Sequence, residues 1–327
     1  MSSNLTRRPV AGTIAALTAG LLLLPSNSAL ACATCGCTLS TDAATGFSTQ
    51  AGWRLALQYD YVDQNQLRHD TGTASVVPVG NEFEKETKNR YLTAGVSYAP
   101  NASWRVNLQI PYVIRDHSTY GEYDPSVPLE LSTSHSSSLG DIKLIGNYQG
   151  FLPTHNLGVQ LGIKLPTGEY GDAVQFSTGP LAGEPLDTSL QPGTGSTDLI
   201  LGAYYYQALS EDFDGFAQVS YQFAVASRFD YRPGNNVTLS GGVRYITETN
   251  WVPQLQLNLT HKNQDSGVNA DVADSAGTFV YLSPGFSYTS TTHTQLYGFV
   301  QLPLYQNLDG WQLAPRWTAS VGLSHTF

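Results

Sequence analysis

Residues 317–327 read Trp-Thr-Ala-Ser-Val-Gly-Leu-Ser-His-Thr-Phe, a strict alternation at the end of the chain. Trp317, Ala319, Val321, Leu323 and Phe327 fall on one side, and Thr318, Ser320, Gly322, Ser324 and Thr326 on the other, the period of a β-strand with one apolar and one wet face. Such an apolar face has to be covered. In a soluble sandwich a second sheet would cover it; around a closed barrel in lipid the hydrocarbon does so, and no second layer is required.

Segments of about ten residues with the same alternation recur from residue 50 onward. The first sets Trp53, Leu55, Leu57, Tyr59 and Tyr61 against Arg54, Ala56, Gln58 and Asp60. Short connections at 100–103, 150–155, 210–214 and 247–250 alternate with long polar ones at 63–88, 117–138, 167–196 and 262–277, and a segment at 305–314 precedes the closing strand. The expectation is an all-β, antiparallel transmembrane β-barrel over 52–327. It would have about 12 strands, long extracellular loops and short periplasmic turns. Closure also removes the exposed edges that a flat sheet of this length would carry. Pro111 and Pro253 fall inside strand segments and predict bulges or a position at the rim, because proline cannot donate to a central ladder.

A helical membrane protein is excluded. Mean hydropathy is −0.18, and the one long apolar run, Val10 to Leu24, is short for a span. Arg7 and Arg8 before it and Ala29-Leu30-Ala31 after it make residues 1–31 a secretory signal peptide, leaving Cys32 first in the mature chain. Residues 32–51 are then a cysteine-bearing periplasmic segment. The abundance of Tyr, 19 residues, with only 13 % charged residues, suits a barrel whose interfaces collect aromatic rings.

Strand charges sort by location. Arg54, Arg90, Arg105, Lys143, Lys164, Arg244 and Arg316 are expected to face the lumen with Asp60, Asp141 and Asp198, whereas Glu82, Glu84, Glu86, Glu122 and Asp274 are expected in the outer loops. Arg54, Arg105, Asp141, Lys164, Asp198 and Arg244 are the residues expected to set permeation, by favouring anions or polar solutes. A second reading pairs these charges across the barrel so that they fill it.

All three cysteines lie in Cys32-Ala33-Thr34-Cys35-Gly36-Cys37. Three thiols this close are not a disulfide framework. One disulfide with a leftover thiol, a soft metal ion such as Cu(I) or Zn(II), redox exchange, and lipidation of Cys32 all remain open. Asp42 is the nearest carboxylate, and Gly36 stands where a haem attachment motif needs His. His69, His117, His135, His155, His261, His293 and His325 have no metal-site spacing, and Ser324 and His325 point to opposite faces, so catalysis is not expected.

The pieces Gly140-Asp141-Ile142, Gly162-Ile163-Lys164-Leu165-Pro166-Thr167-Gly168 and Gly193-Thr194-Gly195-Ser196-Thr197-Asp198-Leu199 resemble the outer-membrane barrel family named after the meta pathway of phenol degradation. The resemblance covers roughly residues 50 to 327, with its sharp motifs between 139 and 208. The final strand resembles the C-terminal assembly signal of outer-membrane barrels, with His325 where a large apolar residue is commoner. The resemblance implies a bacterial outer-membrane transporter of small solutes, hydrophobic or aromatic compounds among them. Its expected partners are membrane lipid, the barrel-assembly machinery, the solute, and a periplasmic redox or metal partner, with no nucleic acid. The alternative reading makes the thiol segment the carrier of metal or redox chemistry and the barrel its holder.

Overall fold

The computed structural model describes residues 41–47 and 49–327; the expected signal peptide and the three cysteines lie outside the described residues. A short helix, α1 (Thr41–Thr45), precedes the strands. Around the wall run β1 (Gly52–Asp70), β3 (Glu82–Asn101), β4 (Trp104–Glu122), β6 (Ile142–Tyr148), β7 (Leu157–Leu165) and β8 (Thr197–Ala208). They are followed by β9 (Phe213–Ala226), β10 (Asn236–Tyr245), β11 (Trp251–Lys262), β12 (Gly277–Thr291) and β13 (Thr294–Thr326). Each pairs antiparallel with the next, and β13 pairs back onto β1, so eleven elements close the ring. Two short strands stand outside this path: β2 (Gly72–Thr73) beside β1, and β5 (Ser132–Leu139) on the upper half of β4.

The last element crosses the wall twice. Residues 294–308 of β13 pair antiparallel with β12, and residues 308–326 pair antiparallel with β1. Because β12 and β1 run in opposite senses, the two halves of β13 also do, and the chain reverses at Asp309-Gly310, where Gly310 has φ +65°. The segment 305–314 is therefore no separate strand but the top of this hairpin. About twelve strands were expected; the wall has eleven continuous elements, one of them doubled back.

Alternation sorts the faces as the final strand suggests. Val321 is 54 % exposed while its neighbour Ser320 is 1 % exposed, and Leu55, Leu57, Leu257 and Leu302 also stand outward. Ring pairs gather at the short-turn end, where Trp53 lies against Tyr98, Trp104 against Tyr148, Phe213 against Tyr245 and Trp251 against Tyr288. Each pair is a direct cross-strand partnership. Tyr61 and Trp317 pack together at the opposite end of the apolar face. From Trp53 to Tyr61 the strand rises about 27 Å, the scale of a hydrocarbon belt between two aromatic girdles.

Above that belt the strands continue where polar loops were expected. β1 reaches Asp70, β3 begins at Glu82 and β5 occupies part of 117–138, so Glu82, Glu84 and Glu86 are strand residues and Glu122 ends β4. Beyond the apolar belt both strand faces carry polar residues, so the alternation that reveals a strand disappears. Arg90 and Arg316 do not face the lumen: Arg90 is opposite the outward Tyr61 and pairs with Asp116, and Arg316 follows a register shift beside Pro315. Pro111 sits where the partner of β4 changes from β5 to β6, and its carbonyl accepts Gly140 N–H at 2.8 Å. Pro253 lies just beyond the last β10–β11 pair, Arg244 with Gln254, towards the short-turn rim.

Asp274, in the long connection before β12, accepts the Trp311 backbone N–H at 2.8 Å and so ties that loop to the final hairpin. Burial pushes its carboxyl up to about 6, against the smaller opposing effects of that hydrogen bond and of His69.

Two outcomes are expected from this architecture. Val321→Arg places a guanidinium on the lipid-facing wall and should cost about 2–4 kcal/mol if near the bilayer midplane, measured by urea titration in lipid vesicles. The folded chain holds the Asp274 proton more tightly than the unfolded chain, so its contribution to stability is complete at low pH and is lost as pH rises through about 6. Urea midpoints compared between pH 4.5 and 7.5 should show this decline in the native chain and lose that component in Asp274→Asn.

Candidate functional site

Two stretches of chain pack against the inward face of the wall, each held by charge. At the short-turn end the stretch is α1 with Gly46 and Phe47. Asp42, in the first turn of α1, forms an ion pair with Arg54 of β1 and lies 3.5 Å from Arg105 of β4. Burial pushes the Asp42 carboxyl up, but Arg54 and Arg105 overrule it and hold it below the usual carboxylate range. Two backbone carbonyls of α1 are also held: Gln254 Nε2 donates to Ala44 O at 2.8 Å and Gln256 Nε2 to Ala43 O at 3.4 Å. Ala44 packs against Tyr297 and Phe299 of β13.

Gly46 ends the helix with φ +86°, the left-handed position that lets a chain leave a helix sharply. The turn delivers Phe47 onto the inward rings of β8 and β9. Phe47 stacks on Tyr204 with centroids 4.7 Å apart and on Tyr206 at 5.2 Å, with Phe216 tilted against it at 5.7 Å. Pairs of this kind contribute roughly 0.5–1.5 kcal/mol each beyond their buried area. A cavity of about 380 Å³ adjoins this plug, lined by Phe47, Arg54, Arg244 and His293 among others.

At the opposite end the long connection 166–196 folds inward. A one-turn 3-10 helix, Thr188–Leu190, is buried with Val174, Phe176 and Leu186 around it. Arg115 of β4, itself buried, donates through Nη1 to Leu190 O and, at 3.3 Å, to Gln191 O. Its charge thus sits at the carbonyl end of that turn, the negative end of the helix dipole. Nε of Arg115 donates to Asn89 Oδ1, which continues the network to Gln64.

The motif pieces at 140–142, 162–168 and 193–199 meet here. Asp141 accepts Gly168 N–H at 3.1 Å, Thr194 N–H at 3.0 Å and the Thr194 hydroxyl at 2.9 Å. Lys164 Nζ lies 3.2 Å from Asp141 and 3.0 Å from Asp198, and donates to Ser196 Oγ at 3.0 Å. The motif is a clasp that fastens the two ends of the inward loop to the wall.

The six residues expected to set permeation therefore divide into three ion-pair groups. Arg54 and Arg105 hold the plug through Asp42; Asp141, Lys164 and Asp198 form the clasp; and Arg244 pairs with Asp214 while donating to Thr45 O at 3.4 Å. Each of the six therefore has an opposite charge within 4 Å. Asp214, Phe47 and Arg115 had no sequence signal: Asp214 falls in an expected turn, and the other two become meaningful only through partners far along the chain. Asp42, the carboxylate nearest the thiols in sequence, is committed to the two arginines. Cys32, Cys35 and Cys37 lie outside the described residues, among which no cluster of three or more His, Asp or Glu residues suited to a metal ion occurs.

No known family model and no curated protein matches the sequence. Among solved structures the chain is similar to the COG4313 outer membrane channel from Pseudomonas putida F1. The TM-score is 0.61 at 13 % identity, over 89 % of this chain and 100 % of that one. Lower likenesses reach the CymD monoaromatic hydrocarbon channel, with TM-score 0.44 at 11 % identity over 85 % of this chain and 89 % of that one. The Ralstonia pickettii toluene transporter TbuX gives 0.45 at 9 % identity over 85 % and 90 %. The first comparison establishes the fold, that of outer-membrane β-barrel channels; the other two are too distant to argue from.

The charges on Arg54, Arg105 and Asp42 are buried together, so removing one partner leaves the others uncompensated. Asp42→Asn should loosen the plug, read as faster chymotrypsin cleavage after Phe47 of the folded protein in detergent, by about tenfold. Asp141→Asn should leave that rate unchanged and loosen the 166–196 loop instead.

Proposed function

We propose that this chain is an outer-membrane channel for small solutes, held closed at rest by its N-terminal plug and by the inward loop. The observation that carries this reading is that two separately latched pieces of chain pack inside the wall. A barrel serving only as a holder needs no removable stopper; its wall side chains can fill it. The apolar outer face, the aromatic girdles and the fold shared with the Pseudomonas putida channel support placement in the bacterial outer membrane. The ion pairs of Arg54, Arg105 and Arg244 belong on this reading to gating, and Lys164 with Asp141 and Asp198 sets the position of the inner loop.

Metal or redox chemistry at Cys32, Cys35 and Cys37, the alternative reading, would belong to the segment that leads along the sequence into the plug.

Planar-bilayer recording tests the channel reading. The native chain should conduct rarely, and Asp42→Asn should raise the open fraction about tenfold, as should deletion of residues 32–50. If neither variant conducts while both remain folded by gel mobility, the chain is not a channel of this kind.

A further inference from the structure

Phe47 is the one aromatic residue of the described plug, and the lumen around it is mostly amide and hydroxyl. Its ring is nearly parallel to the two inward tyrosines of β8, at 15° to Tyr204 and 8° to Tyr206, with Phe216 closing a third side at 56°. The tyrosine hydroxyls are tied away from that space: Tyr204 donates to Gln149 Oε1 at 2.7 Å and Tyr206 to His155 O at 3.0 Å. What the wall presents to Phe47 is therefore ring faces. Gly158, opposite Tyr204 on β7, leaves room for this arrangement, since a Cβ there would stand 2.3 Å from the Tyr204 ring. The arrangement is a flat slot, shaped to a single ring rather than to a flexible chain.

We propose that the slot formed by Tyr204, Tyr206 and Phe216 is a binding site for a monocyclic aromatic solute, and that Phe47 occupies it as a tethered surrogate while the channel is closed. The proposal rests on the plugged-channel reading and adds the class of solute to it. Offset stacking on two near-parallel faces favours a planar π-system over a saturated ring of equal size. The adjoining cavity of about 380 Å³ has space for a substituent on that ring and is lined by Arg54, Arg244 and His293. Solute and plug compete for one position, so a bound solute favours the released plug by its affinity for the vacated slot. The same tethering gives Phe47 a high local concentration, which weakens the apparent affinity for free solute until the ring is removed.

The test measures phenol binding to the full chain in detergent by saturation-transfer NMR titration, with cyclohexanol as the saturated counterpart. Phe47→Ala should bind phenol about tenfold more tightly than the native chain and leave cyclohexanol unchanged. Adding Tyr206→Leu should remove the gain, with cold-gel mobility confirming that every variant is folded. Equal phenol affinity in the native chain and Phe47→Ala, or an equal gain for cyclohexanol, overturns the proposal. Bilayer recording of the same variants separates the two ideas. Conductance without a phenol preference removes the slot and keeps the channel; a phenol preference without conductance in any plug-weakened variant removes the channel and keeps the slot.

Discussion

Hydrocarbon offers no hydrogen-bond partner to a backbone amide, and most features of this chain follow from that absence. Each strand must find its partner on both sides, so the sheet must return to its starting edge. Here the return is made by residues 308–326 against β1, continued at the very end by Phe327 N–H donating to Trp53 O at 2.8 Å. Once the ring is closed, the two faces of each strand belong to different media. The outward face can be Leu, Val and aromatic rings without any protein packed on it, and the inward face must satisfy its polar groups within a narrow, crowded space. Buried Gln64, Gln256 and Gln312 show the second condition, with amide side chains lining the interior where a soluble protein would place aliphatic ones.

A crowded polar lumen makes charge expensive unless it is matched at close range. That explains why Arg54, Arg105, Lys164 and Arg244 occur in groups with carboxylates, and why the inward segments are attached through those groups. Asp42 can seat a five-residue helix inside the barrel because two guanidinium groups await it. Arg115 finds its compensation in the carbonyl end of a single helical turn, so the inner loop and the charge stabilise each other. The clasp of Lys164, Asp141 and Asp198 has the same logic, with the loop backbone supplying the remaining donors. The inward segments are held by interactions that are local and individually breakable, while the wall that carries them is continuous.

The legibility of this protein in its sequence tracks the membrane. Within the apolar belt the period of two is unmistakable, and Trp53 to Tyr61 and Trp317 to Phe327 read correctly residue by residue. Beyond the belt it fails: Asp63 to Asp70 is strand, yet nearly every residue is polar because both faces leave the hydrocarbon. The hairpin at Asp309-Gly310 was hidden for a related reason, since alternation continues on both sides of a tight turn and marks no break. The motif at 140–142, 162–168 and 193–199 was visible as sequence, but its role as a clasp required Asp141 to be brought to Thr194 across fifty-three positions.

The sequence by itself determined the strand class, the outward and inward faces within the bilayer, and the need for closure, because those depend on which medium each side chain can tolerate, and such tolerance is a property of single residues read at fixed spacing. Only the tertiary structure decided which charges meet, that the N-terminal segment turns back into the lumen, and that Phe47 rests between rings of β8 and β9. Those outcomes depend on distances between groups far apart along the chain, and no local period encodes a distance across a barrel.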